Sequence, residues 1–164
     1  MKKLLLALSI SLAFSNFALA ETEFKSEPAT AYWESIDKNY ADQMSKIDIK
    51  EASAIENEKY STQEERYVAG LFFYGDKSYG DKKRAFNQFK IAHKMGFTPA
   101  SFMYGKMLIT GESLGNRNLY LGRNILSSIS GDKYYEYKAN AFLADQYLQE
   151  KDFNSAISAY KKLN

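Results

Sequence analysis

From about Ser61 onward the chain repeats itself, and internal repetition at a spacing of thirty-odd residues confines the fold to stacked supersecondary units. With Gly70, Gly105 and Ala144 placed in register, three residues later come Phe73, Leu108 and Tyr147, and six later come Asp76, Gly111 and Glu150. The order is small residue, large apolar residue, turn. A second column follows, with Ala85, Tyr120 and Ala156, each trailed by an apolar residue (Phe86, Leu121, Ile157). Gly96 and Gly131 close the first two segments. Each unit therefore reads as two helices, and the region divides into units at about 61–97, 98–134 and 135–164. Two prolines and nine glycines among so many Tyr, Phe and Ala argue against a turn-rich β-sandwich and against disorder. The expected class is all-α.

Boundary chemistry agrees with that division. Ser61-Thr62-Gln63-Glu64 reads as a capping box, Asp81 and Asp152 suit the N-caps of second helices, and Thr98-Pro99 reads as an N-cap followed by proline at the first helical position. Gly96 after Lys94-Met95 is a C-terminal stop. Gly70 and Gly105 lower helix propensity, so the spacing predicts close approach of a neighbouring helix at both.

These columns resemble the Sel1-like repeats, relatives of the tetratricopeptide repeat, whose unit runs A-x4-G-x2-Y-x2-G, a short loop, then D-x2-K-A-x3-(W/Y)-x2-A-x4-G. Gly105, Leu108 and Gly111 fit the first half, and Asp81, Arg84, Ala85, Phe89, Ala92, Gly96 and Ala100 fit the second. Asp152, Ala156 and Tyr160 begin a further such helix. The middle unit departs, with Tyr120, Asn124 and Ser127 at positions the family fills with alanine, an aromatic and alanine. The resemblance implies a short right-handed αα-hairpin solenoid over 61–164. It also implies that first-helix side chains opposite the core line a concave groove.

Residues 29–60 carry Tyr32, Trp33, Ile36, Tyr40 and Met44, then Ile47, Ile49, Ala52 and Ile55, which is one amphipathic helix followed by a second. Their expected task is to cap the apolar end of the stack. Residues 21–28 read as a flexible segment. Residues 1–20 read as a cleaved signal peptide: Lys2 and Lys3, an apolar run over Leu4 to Phe14, and the A-x-A site Ala18-Leu19-Ala20. The run is too short for a membrane anchor. Without Lys2 and Lys3 the basic and acidic residues balance, so the footprint of a nucleic-acid binder is missing. With no cysteine, disulfides, thiolate metal sites and a cysteine nucleophile are excluded. The expected location is the periplasm.

No catalytic, cofactor or metal constellation stands out in the sequence. His93, the one histidine, reads as a packing or surface residue, because a lone imidazole does not make a conventional zinc site. The carboxylates, such as Glu64 with Glu65, read as solvated helix faces rather than a glycosidase pair. What remains is aromatic. Helical spacing places Tyr67, Leu71 and Tyr74 opposite the core column, with Phe102, Lys106 and Ile109, then Ala141, Asp145 and Leu148, as their equivalents. Such residues suit a protein partner, since rings bury large area at small entropic cost. The alternative is that the N-terminal helix buries them. A second cluster, Tyr134, Tyr135 and Tyr137, cannot face one side of a helix, so at least one is expected to be exposed, giving either a protein-contact surface that includes Tyr134 and Tyr135 or an amphipathic lid.

The expectation is a non-enzymatic protein-binding module. As a small exported Sel1-like chain it resembles an immunity-type inhibitor that occludes a periplasmic toxin, a secretion-system effector or a cell-envelope hydrolase. The alternatives are an envelope adaptor and a glycan-acting enzyme. Oligomeric state is left open.

Overall fold

The computed structural model describes residues 38–75, 81–112 and 117–163. The leader, the segment 21–28, and Tyr32, Trp33 and Ile36 lie outside them. The described residues form eight α-helices and no strand: α1 (38–46), α2 (Ile49–Asn57), α3 (Gln63–Gly75), α4 (Lys82–Lys94), α5 (Thr98–Thr110), α6 (Leu119–Ser127), α7 (Lys133–Gln149) and α8 (Phe153–Tyr160), ending in a 3-10 turn at Lys161–Leu163. The protein is all-α, and no helix among these is long and apolar enough to cross a membrane.

Helices pack chiefly in sequential pairs, α3 with α4, α5 with α6 and α7 with α8. One backbone hydrogen bond recurs in all three pairs. Asp81 N–H donates to the Phe73 carbonyl at 2.9 Å, Asn118 N–H to Leu108 at 2.8 Å, and Asp152 N–H to Tyr147 at 2.9 Å. The acceptors are the large-apolar column. Each donor residue is also the N-cap of the second helix, its side chain accepting from the N–H of Arg84, Leu121 or Ser155. One contact thus closes the hairpin and nucleates the next helix.

That shared closure corrects the register of the second helices. Counted from the caps, the small residue four positions on is Ala85, Gly122 and Ala156, and the large residue four further on is Phe89, Leu126 and Tyr160. All six are buried. Tyr120, which even spacing aligned with Ala85, is 80% exposed. The alignment of Tyr120 with Ala85 is therefore an effect of loop length. Ten residues separate Leu108 from Asn118, against eight from Phe73 to Asp81 and five from Tyr147 to Asp152, so a fixed period cannot keep both helices in step.

The small residues do what their propensity cost suggested. A Cβ on Gly70 would stand 2.5 Å from Cε1 of Phe89, so the ring rests directly on the α3 backbone. In the second pair, Gly105 faces the Leu126 side chain, and a Cβ on Gly122 would stand 2.8 Å from the Gly105 carbonyl oxygen. Here backbone meets backbone.

Two capping expectations shift by a residue. The box before α3 is Thr62 with Glu65: Thr62 N–H donates to Glu65 Oε2 at 2.7 Å and Glu65 N–H to Thr62 Oγ1 at 3.2 Å. The N-cap of α5 is Phe97 rather than Thr98, and it makes no side-chain cap. Phe97 is held by packing, with its ring 5.4 Å from Tyr67 and 5.8 Å from Tyr40. Upstream, Gly96 takes φ +88° while Phe97 N–H reaches the Ala92 carbonyl, a glycine-terminated helix end as expected.

The core falls into two clusters. The first gathers α3, α4 and the inner face of α5 around Phe73, Phe89 and Met107, and the second joins α5 to α8 around Ile109, Leu126 and Leu143. The α2 helix covers the outer side of the first pair, where Arg66, 6% exposed, donates to the carbonyls of Glu56 and Glu58 and to Gln88 Oε1. Arg84 reaches from α4 to Glu56 Oε2 at 2.9 Å and to Ser53 Oγ at 2.8 Å.

Candidate functional site

The first-helix face proposed from the sequence is divided by the fold. Tyr67 is only 5% exposed, because Tyr40 of α1 stands edge-on to its ring at 5.2 Å and Phe97 packs beside it. Ile109 is fully buried, its Cγ1 against Gly122. Tyr135 is buried too, next to Phe102 at 6.1 Å. These three are core residues rather than open contact residues. For Tyr67 and Ile109 a neighbouring element covers a face that helical periodicity alone marked as outward.

Leu71, Tyr74, Phe102, Lys106 and Leu148 are half-buried and Asp145 is exposed. Tyr74 and Lys106 are brought together across the first two pairs, with Lys106 Nζ 5.7 Å from the ring centroid. On the other side Lys82 Nζ lies 3.3 Å from that centroid and donates to the Tyr74 carbonyl at 2.7 Å. The Tyr74 hydroxyl donates to Glu112 Oε2 at 2.7 Å. Burial first, and then the Glu112 carboxylate, push the Tyr74 phenol well above the ordinary tyrosine range. Burial opposes ionisation of Glu112, but hydrogen bonds from Tyr74 and Thr110 and the charges of Lys106 and Lys82 outweigh it, so its pKa lies below the ordinary value. Tyr74 is consequently a fixed strut between two hairpins that also shows an edge to solvent. At the far end the Tyr160 hydroxyl donates to Asp145 at 3.1 Å, and burial together with that carboxylate pushes its pKa up to about 12.

The tyrosine cluster on α7 is less open than expected. Tyr134 and Tyr137 are half-buried, Tyr134 lies edge-on to Tyr135 at 5.1 Å, and Lys138 Nζ sits 4.2 Å from the Tyr134 ring.

His93 Nδ1 and Ser101 Oγ are 2.8 Å apart, while Ser101 Oγ donates to the Phe97 carbonyl at 3.1 Å. The pair ties α4 to α5. Burial, followed by the charge of Lys94, lowers the His93 pKa below 6.5. The folded state then binds the proton more weakly than the unfolded chain, so stability is complete above pH 6.5 and falls as pH drops through the folded pKa. Urea titrations at pH 7.5 and 5.5 should show the wild type losing stability at the lower pH, with a smaller loss in His93→Gln. Equal slopes for the two proteins would exclude this role.

No group of three or more His, Cys, Asp or Glu placed to hold a metal occurs among the described residues. Sequence reasoning missed Glu112, the partner of Tyr74, and it missed the outer face of α4. That helix, KKRAFNQFKIAHK, has five Lys and Arg residues and no acidic one, a charge imbalance that is visible in the sequence. Comparison of the chain with protein-family models, with curated proteins and with solved structures finds no match.

Proposed function

We propose that the three hairpins form a short right-handed Sel1-like solenoid, exported to the periplasm, that acts without catalysis by binding another protein. Within that reading the chain is an immunity-type inhibitor that occludes a toxin, a secretion-system effector or an envelope hydrolase. The observation that carries the proposal is the first-helix set Leu71, Tyr74, Phe102, Lys106 and Leu148, in which Tyr74 and Lys106 are brought together across the first two pairs. These side chains are half-buried on first helices whose positions are fixed by close helix contacts and repeated hairpin closures. Rigid, partly apolar anchors of this kind lose little entropy on binding and suit a protein surface.

The test is expression of the full chain, tagged at its C-terminus, in its native host, followed by crosslinking and identification of what co-purifies. An inhibitor yields one stoichiometric partner whose activity falls when the purified protein is added. A partner with undiminished activity, joined to a second component, would replace inhibition by an adaptor role. The variant Lys106→Ala truncates a half-buried side chain of this face without adding a charge or removing a side chain packed against the core. It should weaken that complex by about 2 kcal/mol or more while its circular dichroism and melting curve stay close to wild type. Unchanged affinity would remove this face from the interface.

A further inference from the structure

On the side of α4 that faces α2, Glu56, Asn87, Gln88, Lys90, Ile91 and Lys94 line an open cleft of about 380 Å³. Its charge is one-sided. Glu56 contributes the only carboxylate of the lining, and that carboxylate is held by Arg84. Lys90 and Lys94 have no carboxylate within ion-pair distance among the described residues. Next to the cleft lies a third cation, the guanidinium of Arg66, bonded to the Glu56 carbonyl and to Gln88 Oε1, both belonging to lining residues. Arg66 is 6% exposed and its partners are neutral oxygens, with Nε unpartnered. Buried cations are ordinarily matched by an anion; here none of the described carboxylates supplies it. Beside the lysines two apolar side chains stand out, Ile91 of the lining at 38% exposure and Met95, the C-cap residue just beyond α4, at 47%. Lysines interleaved with exposed Ile and Met suit a ligand that is acidic and apolar at once.

We propose that this cleft docks an acidic peptide segment of a protein partner, one carboxylate entering between Lys90 and Lys94 and an adjacent apolar side chain lying on Ile91 and Met95. A lipid surface fits less well. The receptor is concave, and two lysines supply only a small part of the charge that membrane association uses. This surface is separate from the first-helix set, and either can fail without the other.

The experiment is a titration of the isotope-labelled chain, residues 21–164, followed by amide and arginine side-chain NMR. The probes are a decapeptide of alternating Glu and Leu, the matching Lys and Leu peptide, inorganic phosphate, and vesicles containing phosphatidylglycerol. The expected result is saturable shifts at Asn87, Lys90, Ile91, Lys94 and Arg66 with the acidic peptide alone, weakened by salt. In Lys90→Glu/Lys94→Glu the affinity should fall at least tenfold with the spectrum otherwise preserved, and Lys90→Arg/Lys94→Arg should bind as wild type does. Equal shifts with phosphate, binding to vesicles with the acidic peptide inert, shifts confined to other helices, or no shifts at millimolar peptide would each overturn the assignment.

Discussion

Alanine at Phe89 is expected to lower the free energy of unfolding by about 3–5 kcal/mol, the range for removing a fully enclosed ring from a core. Phe89 is fully buried, its centroid is 5.7 Å from that of Tyr67 and 6.3 Å from that of Tyr74, and its edge lies on Gly70. Because the glycine leaves no side chain to fill the void, collapse around the site is limited and the effect belongs at the upper end of the range. Urea denaturation of the two proteins measures it, and a difference under about 1 kcal/mol would mean that the ring is not the keystone of the first pair. A companion variant checks the mechanism. Gly70→Ala should destabilise alone through its clash with the ring, and less so with Phe89→Leu, whose smaller side chain leaves room. Additive effects would count against direct contact.

The first helices were legible in the sequence and the second helices only in part. Gly70, Gly105 and Ala144 each sit at a close helix contact or a buried position, and their spacing could be read because a packed small residue leaves a compositional mark. Asp81 and Asp152 were readable as caps for a similar reason, since an N-cap needs a short acceptor side chain. The cap at Asn118 was missed, and with it the alignment of Gly122, because hairpin loops of unequal length leave no periodic trace. Phe97 was missed as a helix start since it caps by burial, with no side-chain hydrogen bond.

For the candidate first-helix set, periodicity named the face and could not name its covering. Tyr67 and Tyr74 are seven residues apart on one helix, yet the first is sealed by Tyr40 and Phe97 while the second is strapped by Lys82 and Glu112. Such differences arise from contacts between segments far apart in the chain, which a pattern within one helix does not encode. Arg66 is the opposite kind of miss. A charged residue near the start of a helix reads as solvated, and only the approach of α2 shows that it is enclosed.

Gly122→Val and Tyr120→Ala together decide which register the middle hairpin uses. A Cβ on Gly122 would meet the Gly105 carbonyl oxygen at 2.8 Å and Ile109 Cγ1 at 2.6 Å, and the first of these is backbone that no rotamer change can move aside. Valine adds two methyl groups to that conflict, so α5 and α6 must separate, and a loss of about 3 kcal/mol is expected, against a helix-propensity gain of a few tenths. Tyr120, 80% exposed near the start of α6, has no such neighbour to lose, and its alanine variant should stay within about 0.5 kcal/mol of wild type. Even repeat spacing predicts the reverse, with Tyr120 in the column of Ala85 and deeply packed. Chemical denaturation of both variants separates the alternatives: a Tyr120→Ala loss above about 2 kcal/mol with Gly122→Val tolerated would restore the spacing-based alignment, whereas the opposite ranking establishes that hairpin closure, not repeat period, sets where the second helix begins.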